Sequence, residues 1–125
     1  MTLQRRDADL PTEIQAELAD IAPLVAKAGK VARVLKAISN EKRLLILCKL
    51  AVSGECTVGL LAECVGLGQS AVSQHLAKLR EDNLITFRRQ SQMLFYEIGD
   101  RKLKHLLTSL KDIYCPDMIP EQSKE

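Results

Sequence analysis

The stretch Gly66-Leu67-Gly68-Gln69-Ser70-Ala71-Val72-Ser73-Gln74-His75-Leu76-Ala77-Lys78-Leu79-Arg80-Glu81 decides how this chain is read. Ala71, Val72, Leu76 and Leu79 fall at helical spacing, which predicts a helix over 69–81 with one inward side. The other side is polar: Gln69, Ser70, Ser73, Gln74 and Lys78. Short polar side chains at the N-terminal end of a helix suit entry into the DNA major groove. There, amides and hydroxyls meet base edges. Gly66-Leu67-Gly68 predicts a tight turn before this helix, and Asp82-Asn83 a break after it.

Working outward, Thr57 is a candidate cap for a short helix over 58–65, and Asn40 for the helix before it. That longer helix, through Leu50, is apolar on most sides and so reads as central; Gly54 ends it. Leu24, Val25, Ala28, Val31, Ala32, Leu35 and Ile38 predict a first long helix from Leu24 to about Ser39. Pro11 and Pro23 punctuate what precedes it, so residues 1–22 read as a polar arm with a short helix at 12–21.

Beyond Asn83 the period changes. Residues 84–89 and 93–98 read as two strands around Gln90-Ser91-Gln92. Asp100 sits where an acid favours a helix start. Leu103, Leu106, Leu107, Leu110 and Ile113 mark a last helix over about 101–114, which Cys115-Pro116 ends. Residues 116–125 read as a disordered tail. The expected fold is mainly α with a β-hairpin wing: four helices, a hairpin and a fifth helix. That order is a winged helix-turn-helix, with 23–115 as one DNA-binding and dimerisation domain.

The charge distribution agrees with this. The net charge is +2 over 125 residues, but it is unevenly divided. Residues 1–20 hold two Arg against five acids, 21–115 hold 15 bases against eight acids, and 116–125 hold one Lys against three acids. A positive body with acidic ends suits a phosphate partner. Lys78 and Arg80 are expected to meet phosphates. Arg88, Arg89 and Gln92 on the hairpin are expected at an adjacent groove or backbone. His75, beside Leu76, reads as a packing or phosphate-contacting group and not as a metal ligand. No apolar run approaches the roughly 20 residues that cross a bilayer. The N-terminus carries no apolar secretory stretch, so no membrane partner and a cytoplasmic location are expected. Cys48, Cys56, Cys64 and Cys115 are then expected to be reduced at rest. No paired acid, phosphate loop or nucleophile–base arrangement points to an enzyme, and no cofactor is expected.

Three segments carry a family resemblance: Asn40-Glu41-Lys42-Arg43-Leu44-Leu45-Ile46-Leu47, Ser70 through Arg80, and Phe95-Tyr96-Glu97-Ile98. Over about residues 24–115 the chain resembles the ArsR family of bacterial winged-helix repressors. The resemblance implies a homodimer through the first and last helices, bound to an inverted-repeat operator in double-stranded DNA. Two metal-site patterns of that family are unmatched. The positions of one fall on Thr57 and Gly59; those of the other fall on Asp100, Lys102, Ile113 and Pro116. One ligand of four does not hold zinc.

Ile46-Leu47-Cys48 and Ile113-Tyr114-Cys115-Pro116 instead resemble the thiol- and persulfide-sensing branch of the family. That resemblance implies that Cys48 and Cys115 join through a disulfide or polysulfide and that the bridged protein releases DNA. It implies a small inorganic or low-molecular-weight sulfur oxidant as inducer. Cys56 and Cys64 read as spectators, with Cys64 filling the core under the third helix. Two other readings stay open at this point: a metal- or metalloid-responsive repressor of the same fold, and a winged-helix protein-interaction module without DNA binding.

Overall fold

The computed structural model describes residues 10–118; the N-terminal nine residues and most of the 116–125 tail lie outside them. The chain divides into two units, one ending at Leu35 and one starting at Lys36. Helix α1 (Thr12–Ile38) begins in the first. Pro23 lies inside it, so the short helix expected at 12–21 and the helix expected from Leu24 are one element. A proline in a helix interior removes one N–H and crowds the carbonyl four residues back, here Ala19. The alanine-rich flanks, Ala16, Ala19, Ala22, Ala26 and Ala28, favour helix strongly enough to carry the chain past it. Ile14, Leu18, Ile21, Leu24, Val25, Val31 and Leu35 are exposed on α1.

The second unit follows the expected order, with caps at the expected residues. α2 (Glu41–Ser53) starts where Asn40 Oδ1 accepts from the Arg43 N–H at 3.0 Å. It ends where the Gly54 N–H donates to the Leu50 carbonyl at 2.9 Å. α3 (Val58–Val65) starts where Thr57 Oγ1 accepts from the Leu60 N–H at 3.3 Å. Gly66 then turns the chain with φ of 71°, a left-handed conformation that glycine adopts without Cβ strain. Two N–H groups, of Gly66 and Leu67, close on the Ala62 carbonyl. α4 (Gln69–Glu81) follows at once. Asn83 leaves it at φ of 60°, and the Leu84 N–H returns to the Leu79 carbonyl at 3.0 Å.

Strands β1 (Ile85–Gln90) and β2 (Met93–Ile98) pair antiparallel, with Phe87 opposite Tyr96 and Gln90 opposite Met93. Gln90 thus belongs to the ladder, and the turn shortens to Ser91-Gln92. Cys56 adds a bridge to Tyr96, with N–H to carbonyl distances of 3.0 and 2.8 Å. The segment between α2 and α3 is therefore a third, one-bridge edge of the wing. α5 (Arg101–Tyr114) starts under Asp100 Oδ1, which accepts from the Lys102 and Leu103 N–H groups.

α2 is the centre of this unit and packs on α3, α5 and β2. Ile46, Leu47, Leu50, Leu61, Val72, Leu76, Leu79, Leu103 and Leu107 are buried. Each such side chain contributes about 1.5–3 kcal/mol relative to exposure. One expectation about the core is corrected. Cys64 is exposed and Cys56 is the buried thiol. The inward arc of α3 is taken by Leu61, Ala62 and Val65, and Cys64 lies outside that arc.

The left-handed residue after α4 gives a direct check on this geometry. Asn83→Gly is expected to hold or slightly raise stability in urea unfolding. Asn83→Val is expected to lower it by about 1–2 kcal/mol, because a branched Cβ clashes with the carbonyl in that conformation.

Candidate nucleic-acid interface and thiol pair

α4 is amphipathic, and its two sides are cleanly separated. Val72, Leu76 and Leu79 have no exposed surface, while Gln69, Ser70, Ser73, Gln74 and Lys78 are exposed. Ala71 is half-buried between the two sides. Gly68 provides no side-chain cap, so the first-turn N–H groups of α4 keep their donor capacity. Lys78 lies 4.0 Å from Glu81, with both side chains largely in solvent, a pairing too exposed to immobilise either.

The remaining candidates divide into free and engaged groups. Arg89 and Gln92 are exposed at the outer end of the hairpin. Arg80 is exposed but stacks on the Phe87 ring at 4.3 Å, which ties the end of α4 to β1. His75 is half-buried, and burial holds its pKa below the ordinary value, with the Arg43 charge adding to the effect. Arg88 is engaged most fully. Its Nε and Nη2 donate to the two Glu55 carboxylate oxygens at 2.7 and 2.9 Å. Its Nη1 donates to Gln90 Oε1 at 2.8 Å. The pair draws Glu55 below the usual carboxylate range and pushes Arg88 up. Glu55 was not singled out from sequence, since nothing in a single chain marks a partner 33 residues away.

The thiols form the second feature. Cys48 is half-buried on α2, and Cys115 is exposed at the C-terminal end of α5, two helices that pack together. The Cys48 thiol is held above its ordinary value, first by burial and then by the Cys115 charge. Among the described residues, no group of three or more His, Cys, Asp or Glu is placed to hold a metal ion. No described helix is long and apolar enough to cross a membrane.

The comparisons with known proteins agree with this fold. The family model for bacterial regulatory proteins of the arsR family matches residues 40–86, from the cap of α2 to the start of the wing. The HTH-type transcriptional regulator YgaV of Escherichia coli (strain K12) is 41% identical over 99 residues, 79% of this chain and 100% of that protein. The chain belongs to the ArsR family. Among other ArsR-family relatives, the transcriptional activator HlyU of Vibrio cholerae is 42% identical over 87 residues, 70% of this chain and 80% of that protein. The crystal structure of the transcriptional repressor BigR from Xylella fastidiosa superposes with a TM-score of 0.69 at 36% identity, covering 74% of this chain and 94% of that one. These relatives carry names of transcriptional regulators, not of enzymes.

The thiol electrostatics of this ArsR-family chain lead to a titration with a definite sign. Burial and a neighbouring negative charge both disfavour the Cys48 thiolate, so both raise its pKa. Cys115→Ser removes one of the two causes. The Cys48 thiolate, followed by ultraviolet absorbance, is therefore expected to appear at lower pH in that variant than in the parent, and still above the ordinary thiol value. An unchanged Cys48 titration would mean that the two sulfurs are not neighbours.

Proposed function

We propose that this chain is a homodimeric DNA-binding transcriptional repressor that releases its operator when Cys48 and Cys115 become joined. The observation that carries the DNA-binding part is the exposed Gln69-Ser70…Ser73-Gln74 face over the fully buried Val72, Leu76 and Leu79. In a twofold assembly, two such helices reach successive major grooves of an inverted repeat, roughly 34 Å apart. Gln69, Ser70, Ser73 and Gln74 read base edges; Lys78 meets phosphate; Arg89 and Gln92 reach the neighbouring groove or backbone. The exposed apolar side chains of α1, and Ile113 and Tyr114 at the end of α5, support a second copy as the partner that covers them.

The thiol pair supplies the switch. Cys115 is the exposed sulfur and meets the inducer first. Its thiolate attacks the outer sulfur of a low-molecular-weight persulfide, giving a Cys115 persulfide and releasing the small thiol. Cys48 then attacks the Cys115 sulfur, forms the disulfide and expels hydrogen sulfide, so the sulfane sulfur is the atom reduced. A longer sulfur chain between the two cysteines relaxes the limit of about 7 Å that a disulfide sets on their Cα atoms. Either bridge ties the end of α5 to α2, and through α2 biases the dimer away from the DNA-bound geometry. A coupling of about 1–3 kcal/mol is enough to change occupancy about 5–150-fold.

Two measurements test this. Duplex binding is expected to fall with salt, and Lys78→Gln to reduce the slope of log K against log salt by about one. A winged-helix module that binds only protein would show no salt-dependent duplex affinity. Cys48→Ser and Cys115→Ser are each expected to bind DNA like the parent, yet to remain bound when persulfide is added. Release of DNA from both variants by persulfide would remove the thiol switch. Release by zinc or arsenite, with no response to persulfide, would favour the metal-responsive reading.

A further inference from the structure

The wing is a two-stranded hairpin, an element that is marginal alone in water. In this protein β2 packs on α2, α3 and α5 and β1 packs on α4, and a side-chain clamp on β1 adds a further tie. Arg88 on β1 gives three N–H donors to three acceptor atoms, the two Glu55 oxygens and Gln90 Oε1, with the Glu55 pair in the bidentate geometry that fixes a guanidinium most firmly. Its guanidinium carbon also lies 4.8 Å from the centre of the Phe95 ring, which stands directly across the ladder from it. Glu97, on the same strand as Phe95, adds a second negative charge that favours the cation.

Glu55 is held in place independently of Arg88. It follows Gly54, the residue that terminates α2, and precedes Cys56, which is bridged to Tyr96 on β2. The carboxylate therefore sits at the junction between the C-terminal end of α2 and the edge of the wing.

We propose that Glu55 and Arg88 form a strut that sets the angle of the wing against α2, and that Arg88 is a positioning residue and not a phosphate contact. Contact with the DNA backbone beyond α4 then falls to Arg89 and the Ser91-Gln92 turn. Because α2 also carries Cys48, the wing is fixed to the same helix that the thiol bridge would displace. The strut's effect on DNA rests on the DNA-binding reading above; its effect on the wing does not.

An exposed ion pair stabilises a fold little, so the strut's contribution is orientation. Its test uses the full-length protein and a short duplex selected by that protein from a random pool. Glu55→Gln and Arg88→Gln are each expected to weaken binding about two- to fivefold, the range an exposed ion pair accounts for. The double variant is expected to be no weaker than either single one, and all three to keep the parent's salt slope and thermal midpoint. Tighter or unchanged binding by Glu55→Gln, or a slope lower by about one in Arg88→Gln, would overturn the strut and make Arg88 a phosphate contact.

Amide hydrogen exchange without DNA separates the two claims. Faster exchange in β1 and β2 of both single variants, with α5 unchanged, supports the strut even if the parent binds no duplex, a result that would sink only the DNA reading. Exchange identical to the parent would overturn the strut.

Discussion

The DNA-binding reading of this protein depends on the one-sided burial of α4. Val72, Leu76 and Leu79 are sealed against the body, and α4 packs on α3 across the Gly66 turn. That seal fixes the helix about its own axis. Rotation by a single residue, about 100°, would carry Gln69, Ser73 and Gln74 toward the core and an apolar side into water. The apolar contacts therefore decide which groups are available to meet a base edge. The left-handed residues at both ends, Gly66 before and Asn83 after, let the chain turn sharply enough for α3 and β1 to flank α4 without extending it.

α2 links the features on which the two proposals rest. α2 lies under α3, α5 and β2, carries Cys48, and ends two residues before the carboxylate that holds Arg88. Close-packed interiors transmit displacement, because no void is present to absorb it. A modest movement of α2 relative to α5 would therefore be felt at α3 and β2, the elements packed on α2. Cys48 lies on α2 and Cys115 at the end of α5, two helices that pack together, so the proposed bridge would act on that packing.

Most of the fold was legible in the sequence because each boundary is written in local chemistry. Asn40, Thr57 and Asp100 cap the helices they precede, and the change from a 3.6 to a 2.0 period marks the hairpin. Departures occur where local signals compete or where the partner is distant. Pro23 is a helix breaker by type, but its alanine-rich flanks outweigh it. Cys64 is exposed where a core position was expected, because a short apolar helix does not reveal which arc faces inward until the neighbouring helices are placed. The exposed polar face of α4 was legible residue by residue. The engagement of Arg88 was not, since it depends on a loop acid that only the Cys56–Tyr96 bridge brings beside β1.

The most direct test of the central claim is a map of backbone and side-chain amide shifts in the reduced protein as a selected duplex is added. The account predicts that the largest changes fall on Gln69, Ser70, Ser73 and Gln74, with a second set at Arg89 through Gln92, and that the buried Leu76 and Leu79 amides move little. Shifts centred on any other surface, with the N-terminal half of α4 unmoved, would contradict it.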